Sequence, residues 1–250
     1  MSAIPRRRSD LRVLGLAIVL GLGSALAGGP QPAAAAAGYE YDLYQPGDFV
    51  AQTNLVQCVG ASMQMMVNLV SVRDDRTAAT QHRMWALARK LGPPRPPNRP
   101  PSQGASVHGW AAGLNQLDQG PYAVAGYPTL SDALYSAARA MRRTGRPVGL
   151  LVWGGRHAWV MSGFQATADP AGTDEFRVTH AFVLDPLYPL MSTIWPRSPA
   201  PDSRLSVATL AQSFVARRGG WSGALRGMWV IVEPIDDRAR TGILRGRSAS

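Results

Sequence analysis

A single cysteine, Cys58, stands in a 250-residue chain whose first 37 residues have the layout of an export signal. Exported domains commonly pair their cysteines as disulfides, and one alone can form no intramolecular bridge. With no such staple, the fold depends on its own apolar core. The thiol is then either packed and inert or placed to react.

The leader has three parts. Arg6, Arg7, Arg8 and Arg12 form a basic start, Val13 to Ala27 is uncharged and apolar, and Ala35-Ala36-Ala37 offers a small-residue cleavage site before Gly38. The apolar stretch is 15 residues long, whereas a membrane span needs roughly 20. Pro30 and Pro32 interrupt the uncharged run beyond Gly28, so cleavage is expected, with a retained N-terminal anchor as the alternative. The expected location is secreted or at the cell envelope, with no transmembrane domain beyond this segment.

Removing residues 1–37 leaves 213 residues, enough for one domain with a sizeable core. The formal charge of +10 falls to +7, because the leader carries four arginines and one aspartate. A basic protein of this kind suits an acidic envelope surface. Nucleic acid is not expected as a partner, since no helix or loop concentrates arginines with stacking aromatics. One cysteine and four scattered histidines cannot build a Cys/His zinc site.

Periodicity divides the remaining chain. Residues 39–51 read as an irregular lead-in with Tyr39, Tyr41 and Tyr44 available for packing. From Cys58, the positions Val59, Met63, Met66, Val67 and Val70 lie on one helical face. Thr77 caps a second helix to about Leu91, before Gly92. The proline-rich stretch 93–101 excludes both helix and central strand. Ser106 caps a third helix carrying Trp110, Leu114 and Leu117, and Thr129 with Asp132 opens a fourth that ends near Arg143. Strands are expected at Val148–Trp153, His157–Gln165 and Phe176–Asp185, then a helix at Val207–Arg217 and a strand at Met228–Glu233. The basic tail from Asp236 has little apolar content and is expected to be disordered. Helices first and an antiparallel sheet afterwards make one α+β domain over 38–235.

Cys58 opens its helix, where the positive end of the helix dipole favours a thiolate. A thiol nucleophile also needs a base that later acts as acid, and donors for the developing oxyanion. Gln52 and the Cys58 backbone N–H are candidates for those donors. His82 reads as solvent-exposed on a polar helix face, and His108 lies at a helix start. His157 follows the Gly154-Gly155-Arg156 turn and stands at a strand's beginning. On the third strand, alternation puts His180 on the face opposite Asp185. An Asp185 facing the site can therefore pair with His157 and hold its tautomer.

These residues carry a resemblance. Gln52-Thr53-Asn54-Leu55-Val56-Gln57-Cys58 resembles the Gln-x5-Cys helix start of papain-like cysteine peptidases, most of all the bacteriocin-processing (double-glycine) peptidase-like group. Val59-Gly60-Ala61-Ser62 stands where that group has a Cys-Gly-Pro-Ala-Ser-like run. Gly155 to Gly163 is similar to its Gly-x-His strand, and Val183-Leu184-Asp185-Pro186 to its Asp-Pro strand end. The resemblance spans roughly 52–186 on three short anchors. It implies a papain-like frame, with the Cys helix in an N-terminal helical half and the His and Asp on the later sheet. The implied roles are Cys58 nucleophile, His157 base and acid, Asp185 orienter and Gln52 oxyanion donor. It further implies a monomer that cleaves peptide or isopeptide bonds of a peptide or protein substrate without cofactor or metal. The chain has no glycine-lysine phosphate loop of a fused transporter. The rival readings are an acyltransferase or amidase on the same thiol, and a non-catalytic binding protein on the same frame.

Overall fold

The structure is a computed structural model describing residues 38–72, 74–94, 103–218 and 220–236, and four of its five α-helices begin at a capping hydroxyl. Helix α1 spans Cys58–Asn68, α2 Ala78–Leu91, α3 Val107–Gln116, α4 Leu130–Thr144 and α5 Val207–Leu210. Thr77, Ser106, Thr129 and Ser206 each accept a backbone N–H with the side chain and so start α2, α3, α4 and α5. Gly145, left-handed at φ 67°, ends α4 and donates its N–H to the Met141 carbonyl.

The strands are β1 (Tyr39–Asp42), β2 (Tyr122–Tyr127), β3 (Val148–Val152), β4 (His157–Ala166), β5 (Val178–Leu184), β6 (Ser203–Ser206) and β7 (Trp229–Pro234). They form one antiparallel sheet in the order β2-β7-β3-β4-β5-β6, with β1 also on β4. Helices cover both faces, so the class is α+β. On one face, Met63 and Met66 of α1 and Trp110 and Leu114 of α3 pack with Ala158, Val160, Val230 and Val232. On the other, Ala133, Leu134, Ala137 and Met141 of α4 meet Leu150, Trp159, Met161 and Ile231. Along β4, Ala158 and Val160 face α1 and α3 while Trp159 and Met161 face α4, and a register shift between Met161 and Gly163 brings Phe164 and Ala166 to the α4 side as well. The described residues all fall within one compact unit, Ala35–Ser250.

The helical layer is fastened to the sheet by a close contact. A Cβ on Gly149 of β3 would lie 2.5 Å from two ring carbons of Trp110. The indole therefore rests directly on the β3 backbone, which only glycine permits.

Several boundaries differ from the sequence expectations. Residues 39–42 form a strand within the expected irregular lead-in, because Tyr39 and Tyr41 both pack on Phe164 with ring centroids 5.9 Å apart. Strands β2 and β6 have no counterpart among the expected elements, and the third expected strand is shorter, running from 178 to 184. The sheet therefore interleaves with the helical half instead of succeeding it, and α4 lies across the sheet from α1–α3. The helix expected over 207–217 stops at Leu210. Beyond it the backbone turns away to the β3–β4 hairpin, where the Ser213 carbonyl accepts from Trp153 N–H at 2.8 Å and Arg218 N–H donates to Gly154 at 3.0 Å. No helix among the described residues is long and apolar enough to cross a membrane. The leader 1–37, the proline-rich stretch from 95 onward and the tail from 237 lie outside the described residues.

Candidate active site

Cys58 is the first residue of α1 and is half-buried. Gln57, at the N-cap position, makes no side-chain bond to the helix, in contrast to the capped α2–α5. No side chain takes up the first-turn amides of α1, and the positive end of the helix stays beside the thiol.

The imidazole comes from the β3–β4 hairpin. Trp153, Gly154 and Gly155 take φ values of 56°, 65° and 98° in succession, a tight reversal that starts β4 at His157. A tryptophan in that conformation costs about 1–3 kcal/mol. The cost is met by the Trp153 N–H bond to Ser213 and by ring packing. Its indole stacks on His157 at 4.2 Å and 23° and lies parallel to Trp195 at 6.0 Å and 3°. His157 is thus wedged, 5% exposed, between an indole and its carboxylate.

Nε2 of His157 lies 2.7 Å from Oδ1 of Asp185, and Leu187 N–H donates to the same oxygen at 2.8 Å. Asp185 is fully buried, and its Oδ2 has no hydrogen-bond partner. With Nε2 engaged, Nδ1 is the nitrogen left to face the Cys58 thiol, which is near enough to act on the ring's pKa. Burial by itself pushes the imidazole pKa down. Hydrogen bonds to Asp185 and Cys58, with the charges of both, outweigh it and bring the value up to about 9 from 6.5.

An imidazole whose pKa rises on folding adds stability that is complete below about pH 6.5 and is lost as pH climbs through about 9. The proton a leaving amine would need is present over the same range. The His157 ring is expected to titrate near 9 by NMR. A midpoint near 6.5 would refute the ion-paired ring.

Gln52 is buried in the loop before α1. Its backbone N–H donates to the Pro186 carbonyl at 2.7 Å, strapping the loop to the Asp185 turn. Its Nε2 donates to the Asn54 carbonyl at 2.9 Å, using one amide hydrogen, while Oε1 is buried without a partner. Gln81 of α2 clamps the residues on either side. Its Oε1 accepts from Thr53 N–H at 2.8 Å and from the Thr53 hydroxyl at 3.0 Å, and its Nε2 donates to the Ala51 carbonyl at 3.0 Å.

The fold therefore gathers Cys58, His157 and Asp185, with Gln52 strapped alongside. His82 and His108 are exposed on helices, and His180 is half-buried beside the Thr179 hydroxyl. Two contributors are not evident from sequence. Gln81 reads as part of a polar helix face, although its spacing to Met84 and Ala88 sets it on the buried stripe. Trp153 carries no local signal, since its stacking depends on the hairpin reversal. Of the other tryptophans, Trp110 and Trp159 are core, Trp229 donates to the Phe214 carbonyl at 3.1 Å, and the side chain of Trp221 lies outside the described residues.

A separate cleft of about 460 Å³ lies beside α4 and β7, lined among others by Tyr127, Ser136, Arg139 and Glu233. Its Ser136 hydroxyl is committed to Glu233 at 2.7 Å, so the chemistry is better sought at the thiol. Among the described residues, no three His, Cys, Asp or Glu side chains come together as a metal site. No family model, curated protein or solved structure matches the chain.

Proposed function

We propose that the protein is a papain-like cysteine hydrolase, of the bacteriocin-processing peptidase-like type, which cleaves peptide or isopeptide bonds outside the cytoplasm. The observation that carries this reading is a buried imidazole joined to a carboxylate at 2.7 Å whose pKa is raised partly by the neighbouring thiol. A packed, inert cysteine would have no such partner.

The chemistry is set by those atoms. Sγ of Cys58, as thiolate, forms a bond to the substrate carbonyl carbon, and the carbonyl electrons move onto oxygen. The Cys58 backbone N–H and the remaining Gln52 amide hydrogen are the donors for that oxyanion. As it collapses, the C–N bond breaks and His157 gives its proton to the leaving amine, leaving an acyl-thioester. His157 then takes a proton from water as the water oxygen attacks the same carbon. The C–S bond breaks, and acid product leaves with the thiolate–imidazolium pair restored. Asp185 holds the ring in place through both steps.

Quenched-flow mass spectrometry on the mature chain with a peptide library tests this. An acyl adduct on Cys58, absent in Cys58→Ala, is expected, and trapping by an added amine would report transfer in place of hydrolysis. The reading fails if iodoacetamide reaches Cys58 at neutral pH only after denaturation.

A further inference from the structure

Among the described residues, six large apolar side chains are exposed: Leu55, Val70, Val72, Leu190, Met191 and Ile194. Four of them lie on the two loops that bound the candidate active site, Leu55 before α1 and the others in 186–195. The second loop has both of its ends in the site. At one end, Pro186 accepts the Gln52 N–H at 2.7 Å, and Tyr188 meets Phe49 edge-on at 6.1 Å. At the other, Trp195 lies parallel to Trp153, which stacks on His157. Between these anchors, Leu190, Met191 and Ile194 are 58%, 59% and 79% exposed, and Leu55 is 77% exposed.

Neither loop contains an acidic or basic residue from 49 to 57 or from 186 to 195, in a chain of formal charge +10. Scattered single exposed apolar residues need no explanation, but a run of them continuous with a reactive centre marks a binding surface. We propose that Leu190, Met191 and Ile194, with Leu55 opposite the strap, form a recognition rim for a bulky apolar side chain beside the scissile bond of a peptide substrate. This rests on the cysteine-hydrolase reading above. The anchoring favours a peptide over a lipid surface. Whatever the loop holds is continuous with the thiol and imidazole, whereas a membrane-binding patch requires no such connection.

The test uses the mature chain and peptidyl acyloxymethyl ketones identical except for Leu, Phe, Asp or Lys next to the reactive group. Rates of Cys58 labelling are divided by the iodoacetamide rate of the same variant. Leu and Phe probes are expected to label at least about tenfold faster than Asp or Lys probes. The triple variant Leu190→Ser, Met191→Ser, Ile194→Ser should reduce that preference to within about threefold. All three positions are solvent-facing, and circular dichroism checks that the variant is folded. Absence of the preference in the native chain, or its survival in the triple variant, overturns the rim. So does a triple variant that loses only affinity for phosphatidylglycerol vesicles, which would make the loop a membrane contact. If iodoacetamide itself does not modify folded Cys58, the hydrolase reading falls and the rim with it.

Discussion

Replacing His157 by alanine is expected to slow alkylation of Cys58 at pH 6 by roughly tenfold. An unassisted thiol, with its usual pKa near 8.5, is only about 0.3% thiolate at that pH. In general an imidazolium partner can raise the reactive share of such a thiol by at most about 300-fold. A less basic thiolate is also less nucleophilic, with a Brønsted slope of about 0.4–0.5, and this returns part of the gain. Turnover should fall further, by about 10³-fold or more, because the leaving amine loses its acid as well. Second-order rates with iodoacetamide across pH 5–9 measure the first effect. His180→Ala should leave them unchanged, since that ring is held apart beside Thr179. Equal rates for His157→Ala and the native chain would remove the ion pair and its mechanism.

The second large effect is on stability. Trp110→Ala is expected to destabilise the fold by about 3 kcal/mol, against a total of about 5–15. Trp110 is fully buried, and truncating such a ring costs about 3–5 kcal/mol in lost transfer energy and residual cavity. Its Nε1–H has no partner in the core, so removing it gives back part of that cost. The gap would open directly over Gly149, where no side chain can collapse into it. Urea denaturation should show the midpoint falling by about 1 M. Trp110→Phe should fall less, because it keeps most of the ring and drops the orphaned N–H. A midpoint unchanged in Trp110→Ala would mean that α3 is not fastened to the sheet through this contact.

The legible part of the molecule is the part built from neighbours in the chain. Thr77, Ser106 and Thr129 cap helices as their sequence context implies, because a cap needs only a hydroxyl and an amide three residues away. The hydrophobic runs at 148–152 and 157–166 are strands for the same kind of reason. Strand β2, with sequence Tyr-Ala-Val-Ala-Gly-Tyr, is different. Ala123, Ala125 and Gly126 dilute the strand preference of its tyrosines and valine, and it is held by pairing with β7, over a hundred residues away. The short α5 departs from its apolar pattern because bonds to the β3–β4 hairpin outbid continued helix in the 211–218 segment.

The candidate site divides along the same line. Local pattern alone singles out Cys58 at a helix start, Gln52 six residues earlier, His157 after a glycine turn and Asp185 at a strand end. It cannot supply the 2.7 Å bond between His157 and Asp185, the indole stacked on the imidazole, or the Gln81 clamp on the Gln52 loop. Those belong to tertiary structure, because each joins groups whose separation is set by sheet register and helix packing. Residue identity carries the capacity for thiol chemistry. The packing of α1 across the edge of β4 decides whether sulfur, ring and carboxylate meet.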